Sequence, residues 1–452
     1  MKHGPSVGAG TPGGGRHLER QAQVCVETVR ELLRQCLGAR RPADRVLTAH
    51  FRAHRELGGR DRRLISETSF AVLRWWGWLQ ALAPNPDLAP PALLVAATLL
   101  EGLPFPPAGA SWLRDCGLSE AAVARVAPLS EVGARWRALA PLLGVATADA
   151  ELAALSPAWF AAQLTACPRT LPELQRWLQR RPPLWLRAQH GDRAALIREL
   201  QAADLEVRPH PRLPQALDLG HPRCDLRPLP AFREGRIEVQ DLASQAIGHV
   251  CAPRPGERWW DACAGGGGKT LHLAALMGGK GSVLASDLRS AKLEELRRRA
   301  RRAGLCNIRV APWSGQAPDP RKPGFDGVLV DAPCSGSGTW RRNPDARWRV
   351  QPSELGELVE LQHRLLAAAA RAVRPAGVLI YATCSLLARE NEGLVASFLA
   401  AHPEFAVEAF AHPLTGAPCE GGMLQIWPWE GDCDAMFVAR LRRRQEHGAA
   451  LP

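Results

Sequence analysis

Two cysteines stand at the ends of neighbouring β-like runs in the last third of the chain. Cys334 lies in Asp331-Ala332-Pro333-Cys334-Ser335-Gly336-Ser337-Gly338-Thr339, and Cys384 lies in Tyr381-Ala382-Thr383-Cys384-Ser385. A thiol is partly ionised near neutrality, adds to electron-poor carbon and can leave again, which suits covalent catalysis. A cysteine is more often a small buried hydrophobe, and either one alone reads that way. Two at the carboxyl ends of consecutive strands, with Asp331 beside one of them, favour chemistry, because open α/β sheets bind ligands at that edge. Lys269 is a candidate for holding a thiolate there.

Upstream, Asp261-Ala262-Cys263-Ala264-Gly265-Gly266-Gly267-Gly268-Lys269-Thr270 follows a β-like run and opens a helix. Glycines let a ligand approach the backbone closely, and the first turn of a helix offers free N–H groups. A phosphate-cradling Walker loop needs glycine where Cys263 stands, so a nucleotide-hydrolysing enzyme is disfavoured. The first loop of a Rossmann-type sheet fits better. Asp287 ends the next strand about twenty residues on, where a carboxylate can accept from both ribose hydroxyls of a nucleoside cofactor. A plain glycine turn with a capping aspartate has the same spacing.

These residues need a scaffold. Short β-like runs at 259–262, 283–286, 308–311, 327–330 and 378–382 alternate with helical stretches at 292–302 and 354–373. That alternation predicts a parallel sheet with helices on both faces over 240–444. Residues 157–239 mix an apolar run at 184–186, a helix at 194–205 and strand-like pieces at 205–207 and 237–239, a small α+β unit. Over 18–150, apolar positions such as Val29, Leu32, Leu33 and Leu37, or Leu64, Phe70, Leu73 and Trp76, recur near helical spacing and predict an all-helical domain of five to seven helices. Residues 1–17 are glycine-rich without periodic apolar positions and read as a flexible tail.

Composition narrows the class. A 452-residue chain that is 46% hydrophobic and carries +12 is neither disordered nor collagen-like. It has no apolar run of membrane-spanning length and no secretion-signal core near its start, so a soluble cytoplasmic protein, away from membranes, is expected. Twelve dilute cysteines without a C-x-x-C pair point to reduced thiols and no metal site. Of 57 basic residues only Lys2, Lys269, Lys280, Lys292 and Lys322 are lysines. An arginine surplus suits phosphate contacts and stacking on bases, although codon bias produces the same composition.

At this point the chain resembles the Sun-type (Fmu-type) family of RNA cytosine-5 methyltransferases. The matching segments are R-E-G-R-I-E-V-Q-D-L-A-S at 233–244, D-A-C-A-G-G-G-G-K-T at 261–270, V-D-A-P-C-S-G-S-G-T at 330–339, L-Q-H-R-L-L at 361–366, and Y-A-T-C-S with Glu390-Asn391-Glu392. They fall in family order. G-R-D-R-R-L-I-S-E-T-S-F-A-V-L-R-W at 59–75 resembles the NusB-like helical domain of the ribosomal-RNA branch, and 157–239 resembles its small RNA-binding subdomain. The resemblance implies a Rossmann-like α/β methyltransferase sheet preceded by those two parts.

It also implies S-adenosylmethionine as cofactor. Cys263, Ala264, Gly265, Gly266, Gly267, Gly268 and Lys269 would form its loop, Asp287 would hold the ribose, and Asp331 would line the site. Cys384 is implied as the nucleophile that adds to carbon 6 of cytosine, Cys334 as the residue of the release step, and Asp331 as an acid toward ring nitrogen 3, its pKa raised by burial. The chain departs from the family at Gly265-Gly266, where Ala-Pro is usual, and after the third strand, where only Ser314 replaces an adenine-binding acid and Trp313 is an alternative packing group. Arg341, Arg342 and Arg347 are the phosphate candidates; the run Arg297, Arg298, Arg299, Arg301 and Arg302 reads equally as a solvated face, and Arg440, Arg442, Arg443 and Arg444 as a soluble end. The expectation is a monomeric enzyme that methylates carbon 5 of a cytosine in small-subunit ribosomal RNA. The alternatives are a transfer-RNA enzyme and a catalytically idle RNA-binding assembly factor.

Overall fold

A computed structural model of the chain describes residues 12–83, 91–145, 151–222, 224–313, 315–316 and 324–445. Residues 1–11 of the expected tail, and Ser314, lie outside the described residues. The rest of that tail differs from expectation: a helix, Pro12–Leu33, already begins at Pro12. Proline suits a first helical turn, whose N–H groups have no intrahelical partner, so the helix starts among residues that carry no apolar signal.

The chain divides into two compact units, and neither follows the sequence in one piece. The first holds the helices up to Trp159 together with Arg169–Gln179 and Asn343–Val350. Its core is helical and rich in tryptophan: Trp75, Trp76 and Trp78 on the helix Gly59–Leu79 pack with Leu94 and Leu99 of Pro91–Glu101. Glu101 is bonded to Arg74 and to the indole N–H of Trp75 (2.9 Å), so this carboxylate, drawn into the core, is paired. Two pieces arrive from far along the chain. In the helix Leu171–Leu178, the amide of Gln175 donates to Ser156 (2.8 Å), and Trp348 donates its indole N–H to the carbonyl of Leu73 (2.8 Å).

The second unit contains both sheets. In the smaller, β1 (Trp185–Ala188), β2 (Arg208–Pro209), β3 (Ala216–Asp218) and β4 (Ile237–Val239) pair antiparallel in the order β2-β3-β1-β4. Alternate residues of β1 serve different cores. Leu186 packs with Leu196 and Leu200 of the helix Arg193–Ala202, while Trp185 joins the cluster of Ile247 and Trp259. The small sheet therefore shares a core with the larger one instead of standing apart at residue 239, where the sequence expectation divided them.

The larger sheet takes β5 (Arg258–Asp261), β6 (Ser282–Asp287), β7 (Ile308–Pro312), β8 (Phe325–Asp331), β9 (Val373–Thr383) and β10 (Phe405–Val407). A two-stranded ribbon, β11 (Phe410–Ala411) with β12 (Pro418–Cys419), intervenes before β13 (Met423–Ile426) and β14 (Met436–Arg443). The order is β10-β14-β9-β8-β5-β6-β7, with β13 also on β14. Strands β7-β6-β5-β8-β9 are parallel, but β14 runs antiparallel to β9, so the sheet is mixed rather than wholly parallel. The strand order reverses between β5 and β8, and the carboxyl ends of β5, β6, β8 and β9 meet there.

The arginines of the chain's last strand are not a soluble end. Arg440 and Arg442 lie on β14, both bonded to Glu408, and Arg440 also donates to the carbonyls of Val250 (2.8 Å) and Cys251 (3.0 Å). Among the described residues no helix is long and apolar enough to cross a membrane, and no group of three or more His, Cys, Asp or Glu is placed to hold a metal ion.

Candidate active site

Register places the thiols together. Asp331 pairs with Ala382 across β8 and β9, so the turns that follow carry Cys334 and Cys384 to the same edge, with their sulfurs 3.5 Å apart. The pair is polarised. The bond from Cys334 holds Cys384 below its ordinary value against burial and the repulsion of Asp331, aided by the charges of Arg342 and Lys269. Cys334 is pushed well up by that same bond, by burial, and by the negative charges of Cys384 and Glu390. Of the two sulfurs, Cys384 is therefore the more readily ionised.

The turns are locked by side chains. Glu390, fully buried, accepts the N–H (2.8 Å) and hydroxyl (2.6 Å) of Ser335, the hydroxyl of Ser385, and the amide of Gln362 (2.9 Å). Ser335 and Ser385 follow the two cysteines directly, so one carboxylate fixes both loops. Tyr381 donates its hydroxyl to the Glu390 carbonyl (2.7 Å), and Gln362 donates to the carbonyl of Pro333 (2.9 Å). Gly338 passes so close that an added Cβ would stand 2.2 Å from the Ala435 carbonyl oxygen and 3.0 Å from that of Cys384. No other residue fits without moving the turn that carries Cys384.

The loop after β5 faces the same edge. Asp261 is buried; one carboxylate oxygen accepts the Thr270 hydroxyl (2.7 Å), the other has no partner, and burial pushes its pKa up to about 7. Asp287, at the end of β6, accepts the N–H of Gly265 (2.9 Å) and three bonds from Arg289 (2.8 Å from its N–H, 3.0 Å from Nε and 3.2 Å from Nη2), and these hold it below its usual range although burial opposes them. Gly267 has φ +89°, and a Cβ there would stand 2.6 Å from Leu296. A Cβ on Gly265 would meet nothing within 4 Å, so the outer face of the loop is open. An open glycine edge at a helix N-terminus, with one carboxylate at the next strand end and another carrying an unpartnered oxygen, fits a nucleoside cofactor with a charged tail. Residues 263–269 and Asp287 would hold it.

Lys269 donates to Asp331 at 2.7 Å. Burial opposes the ammonium's charge, yet Asp331 and the neighbouring Cys384 hold its pKa above the ordinary value. The sequence expectation that Lys269 faces a thiolate thus acquires a geometry in which Asp331 is its direct partner. Trp313 turns its ring edge-on to Trp260, with centroids 4.8 Å apart, and packs on the core.

The phosphate expectation fails for two arginines. Arg341 is fully buried and donates to the carbonyls of Arg180 (3.1 Å) and Cys433 (2.8 Å) and to Asp432. Arg347 is fully buried in the first unit, donating to the carbonyls of Leu155 (2.6 Å) and Leu178 (3.2 Å), with burial lowering its pKa to about 9. Both tie chain segments together, because a buried guanidinium must satisfy its fork of N–H groups locally. Arg342 stays half-exposed, paired with Asp434, and its charge acts on Cys384. Of the helical run, Arg297 pairs with Glu294, while Arg299 and Arg302 pair with the buried Glu238 (2.9 and 2.6 Å). Sequence reasoning gave no role to Gln362, Ser335, Ser385 or Glu390 beyond their place in matching segments, since hydrogen-bonded positioning leaves no spacing rule.

Residues 249–442 match the family described as 16S rRNA methyltransferase RsmB/F, and residues 156–227 match an RsmF/B-like methyltransferase ferredoxin-like domain. The chain is 35% identical over 302 residues to ribosomal RNA small subunit methyltransferase B of Sodalis glossinidius, covering 65% of this chain and 68% of that one. It is 37% identical over 258 residues to a probable small subunit methyltransferase B of Synechocystis, covering 56% of this chain and 57% of the relative. Among solved structures, PH0851 superposes with a TM-score of 0.74 at 26% identity, covering 94% of this chain and 99% of that one. A methyltransferase homolog protein from Pyrococcus horikoshii gives 0.52 at 25% identity, over 60% and 90% of the two chains. Set on a reversed parallel sheet with a glycine loop and two thiols at its carboxyl edge, these likenesses mean that the chain belongs to the RsmB/F (Sun/Fmu-type) family of S-adenosylmethionine-dependent methyltransferases.

Proposed function

We propose that this enzyme methylates carbon 5 of a cytosine in RNA, with small-subunit ribosomal RNA as the substrate. The polarised pair of sulfurs 3.5 Å apart carries the reading. Carbon 5 of cytosine is a poor nucleophile, and adding a thiolate at carbon 6 converts the ring to an enamine. Cys384 supplies that thiolate. Toward ring nitrogen 3, where negative charge gathers as the carbon–sulfur bond forms, the proton comes from the Lys269 ammonium held in its pair with Asp331. S-adenosylmethionine, held along residues 263–269 and Asp287, supplies an electrophilic methyl group.

Once Cys384 is bonded to carbon, its negative charge is gone, and with it the main cause that kept the Cys334 proton in place. Cys334 can then release its own proton to water and take the one from carbon 5, while ring nitrogen 3 returns its proton to the Lys269–Asp331 pair. The carbon–sulfur bond breaks as the ring recovers its double bond, and Cys384 leaves as thiolate. The target base must first leave its stack to reach the sulfurs. An idle assembly factor has no use for a polarised thiol pair, and the relatives named for small-subunit ribosomal RNA favour that substrate over transfer RNA.

The test is methyl transfer from labelled S-adenosylmethionine to small-subunit ribosomal RNA and transfer RNA, with bisulfite sequencing of the products. We expect one protected cytosine in the ribosomal RNA. Cys384→Ala should lower turnover at least about a thousandfold, with RNA binding within about twofold of wild type. Label only in transfer RNA reassigns the substrate; turnover retained by the variant removes Cys384 from the mechanism.

A further inference from the structure

The glycine loop departs from its family at Gly265-Gly266, and the lost rigidity has to come from elsewhere. The structure shows where. Behind the loop, Arg299 donates to the carbonyl of Gly266 (2.7 Å) and Arg187 donates to that of Gly268 (2.9 Å). The two arginines come from different places. Arg299 is on the helix Ser290–Arg302, and Arg187 is on β1, one of the two inner strands of the small sheet. Each is aimed by other side chains. Glu238 of β4 is buried and holds Arg299 through Nε (3.2 Å) and Nη2 (2.9 Å). Arg187, fully buried, is held by Gln189 (2.9 Å) and Gln240 and, among the described residues, faces no carboxylate at hydrogen-bond distance. Burial pulls its pKa down to about 9 while Glu238 works the other way, so it stays charged at neutral pH. A buried guanidinium without a bonded carboxylate is costly to keep, and here it spends one of its few bonds on the loop.

We propose that Arg187 and Arg299 are positioning residues that clamp the carbonyl face of the glycine loop and thereby set the affinity for S-adenosylmethionine. Fixing these carbonyls holds the turn in which the Gly267 N–H bonds the carbonyl of Ala264 (2.9 Å), and with it the shape of the open edge that would meet the cofactor. The small sheet, matched only as a ferredoxin-like domain, is on this account part of the cofactor site as well. The inference rests on cofactor dependence alone and is independent of which nucleotide is methylated.

The experiment uses the full chain. Arg299→Met keeps the apolar stem and removes the donors. We expect it to weaken S-adenosylmethionine binding about tenfold by titration calorimetry, the worth of one buried bond to a charged donor. Amide hydrogen exchange at 265–268 should speed up in the ligand-free protein, while kcat at saturating cofactor and the KM for RNA stay within about twofold. Glu238→Gln, which unfastens Arg299 without touching the loop, should weaken binding in the same direction, and Arg299→Lys should recover part of it. Arg298→Met, one position along the same helix and exposed, is the control that leaves binding unchanged. Binding within twofold of wild type in both Arg299→Met and Glu238→Gln overturns the clamp, as does weakened binding with unaltered exchange in the loop. If Arg299→Met does not fold, Glu238→Gln and Arg299→Lys decide alone.

Discussion

The two halves of the active edge are built by different means. Around the sulfurs, support comes from side chains: one carboxylate, Glu390, gathers Ser335, Ser385 and Gln362, and every bond in the set depends on residue type. Around the glycine loop, the edge proposed for the cofactor is largely backbone, and two arginines, Arg187 and Arg299, act from behind on its carbonyls. A bond made by a side chain vanishes with the side chain, whereas a backbone N–H persists through most substitutions and merely loses its aim. Changes on the sulfur side should therefore affect rate, and changes on the loop side affinity.

Cys334→Ala tests the sulfur side most severely after Cys384→Ala. We expect turnover to fall by about a hundredfold or more, the usual span for a general acid–base group. A covalent protein–RNA adduct should accumulate and survive denaturant on a gel. The variant also removes the S–H bond that is the first cause of the low Cys384 pKa. The ascending limb of adduct formation against pH must then move to higher pH than in wild type. Normal turnover with no adduct would leave Cys334 without a part in release.

A subtler change is Glu390→Gln, which keeps the shape and loses the charge. Buried bonds to a charged acceptor are worth about 1.5–3 kcal/mol each, against about 1 for neutral ones. We expect kcat to drop about tenfold with S-adenosylmethionine affinity unaltered. That is the reverse of the pattern expected for Arg299→Met, and together the two variants separate the halves. Equal effects on rate and affinity from both would mean that the edge behaves as one network.

The same division explains what the sequence disclosed. Cys334, Cys384, Asp331 and Lys269 carry chemistry in their identities, and strand ends bring them together; their meeting follows once the runs at 327–330 and 378–382 are read as neighbours. Arg341 and Arg347 misled, because a guanidinium beside a reactive motif suits phosphate as well as it suits buried carbonyls, and only burial separates the two. Strand β14 was missed because Arg440, Arg442 and Arg443 interrupt its apolar alternation, although partners on neighbouring segments, Glu408 among them, accept all three guanidiniums. Residues 343–350 join the helical unit through contacts such as that of Asp345 with the N–H of Ala43 (3.2 Å), a pairing across three hundred positions that no local pattern encodes.

Asp261 gives the mildest effect and belongs to neither half. It ends β5 beneath the loop, with one carboxylate oxygen bonded to Thr270 and the other without a partner. Burial raises its pKa from 3.8 to about 7, so the folded protein keeps a proton that the unfolded chain has released. The stability this contributes is complete below the unfolded value and is lost as pH rises through the folded one. Between about pH 5 and 7 the slope approaches about 1.4 kcal/mol per pH unit. Asp261→Asn, neutral throughout, removes the slope. Urea midpoints of the ligand-free protein should therefore converge or cross in favour of the variant on going from pH 5 to 7, and then run parallel to pH 8. Parallel midpoints over the whole range would mean that the carboxyl is ionised in the fold, with its free oxygen satisfied by solvent.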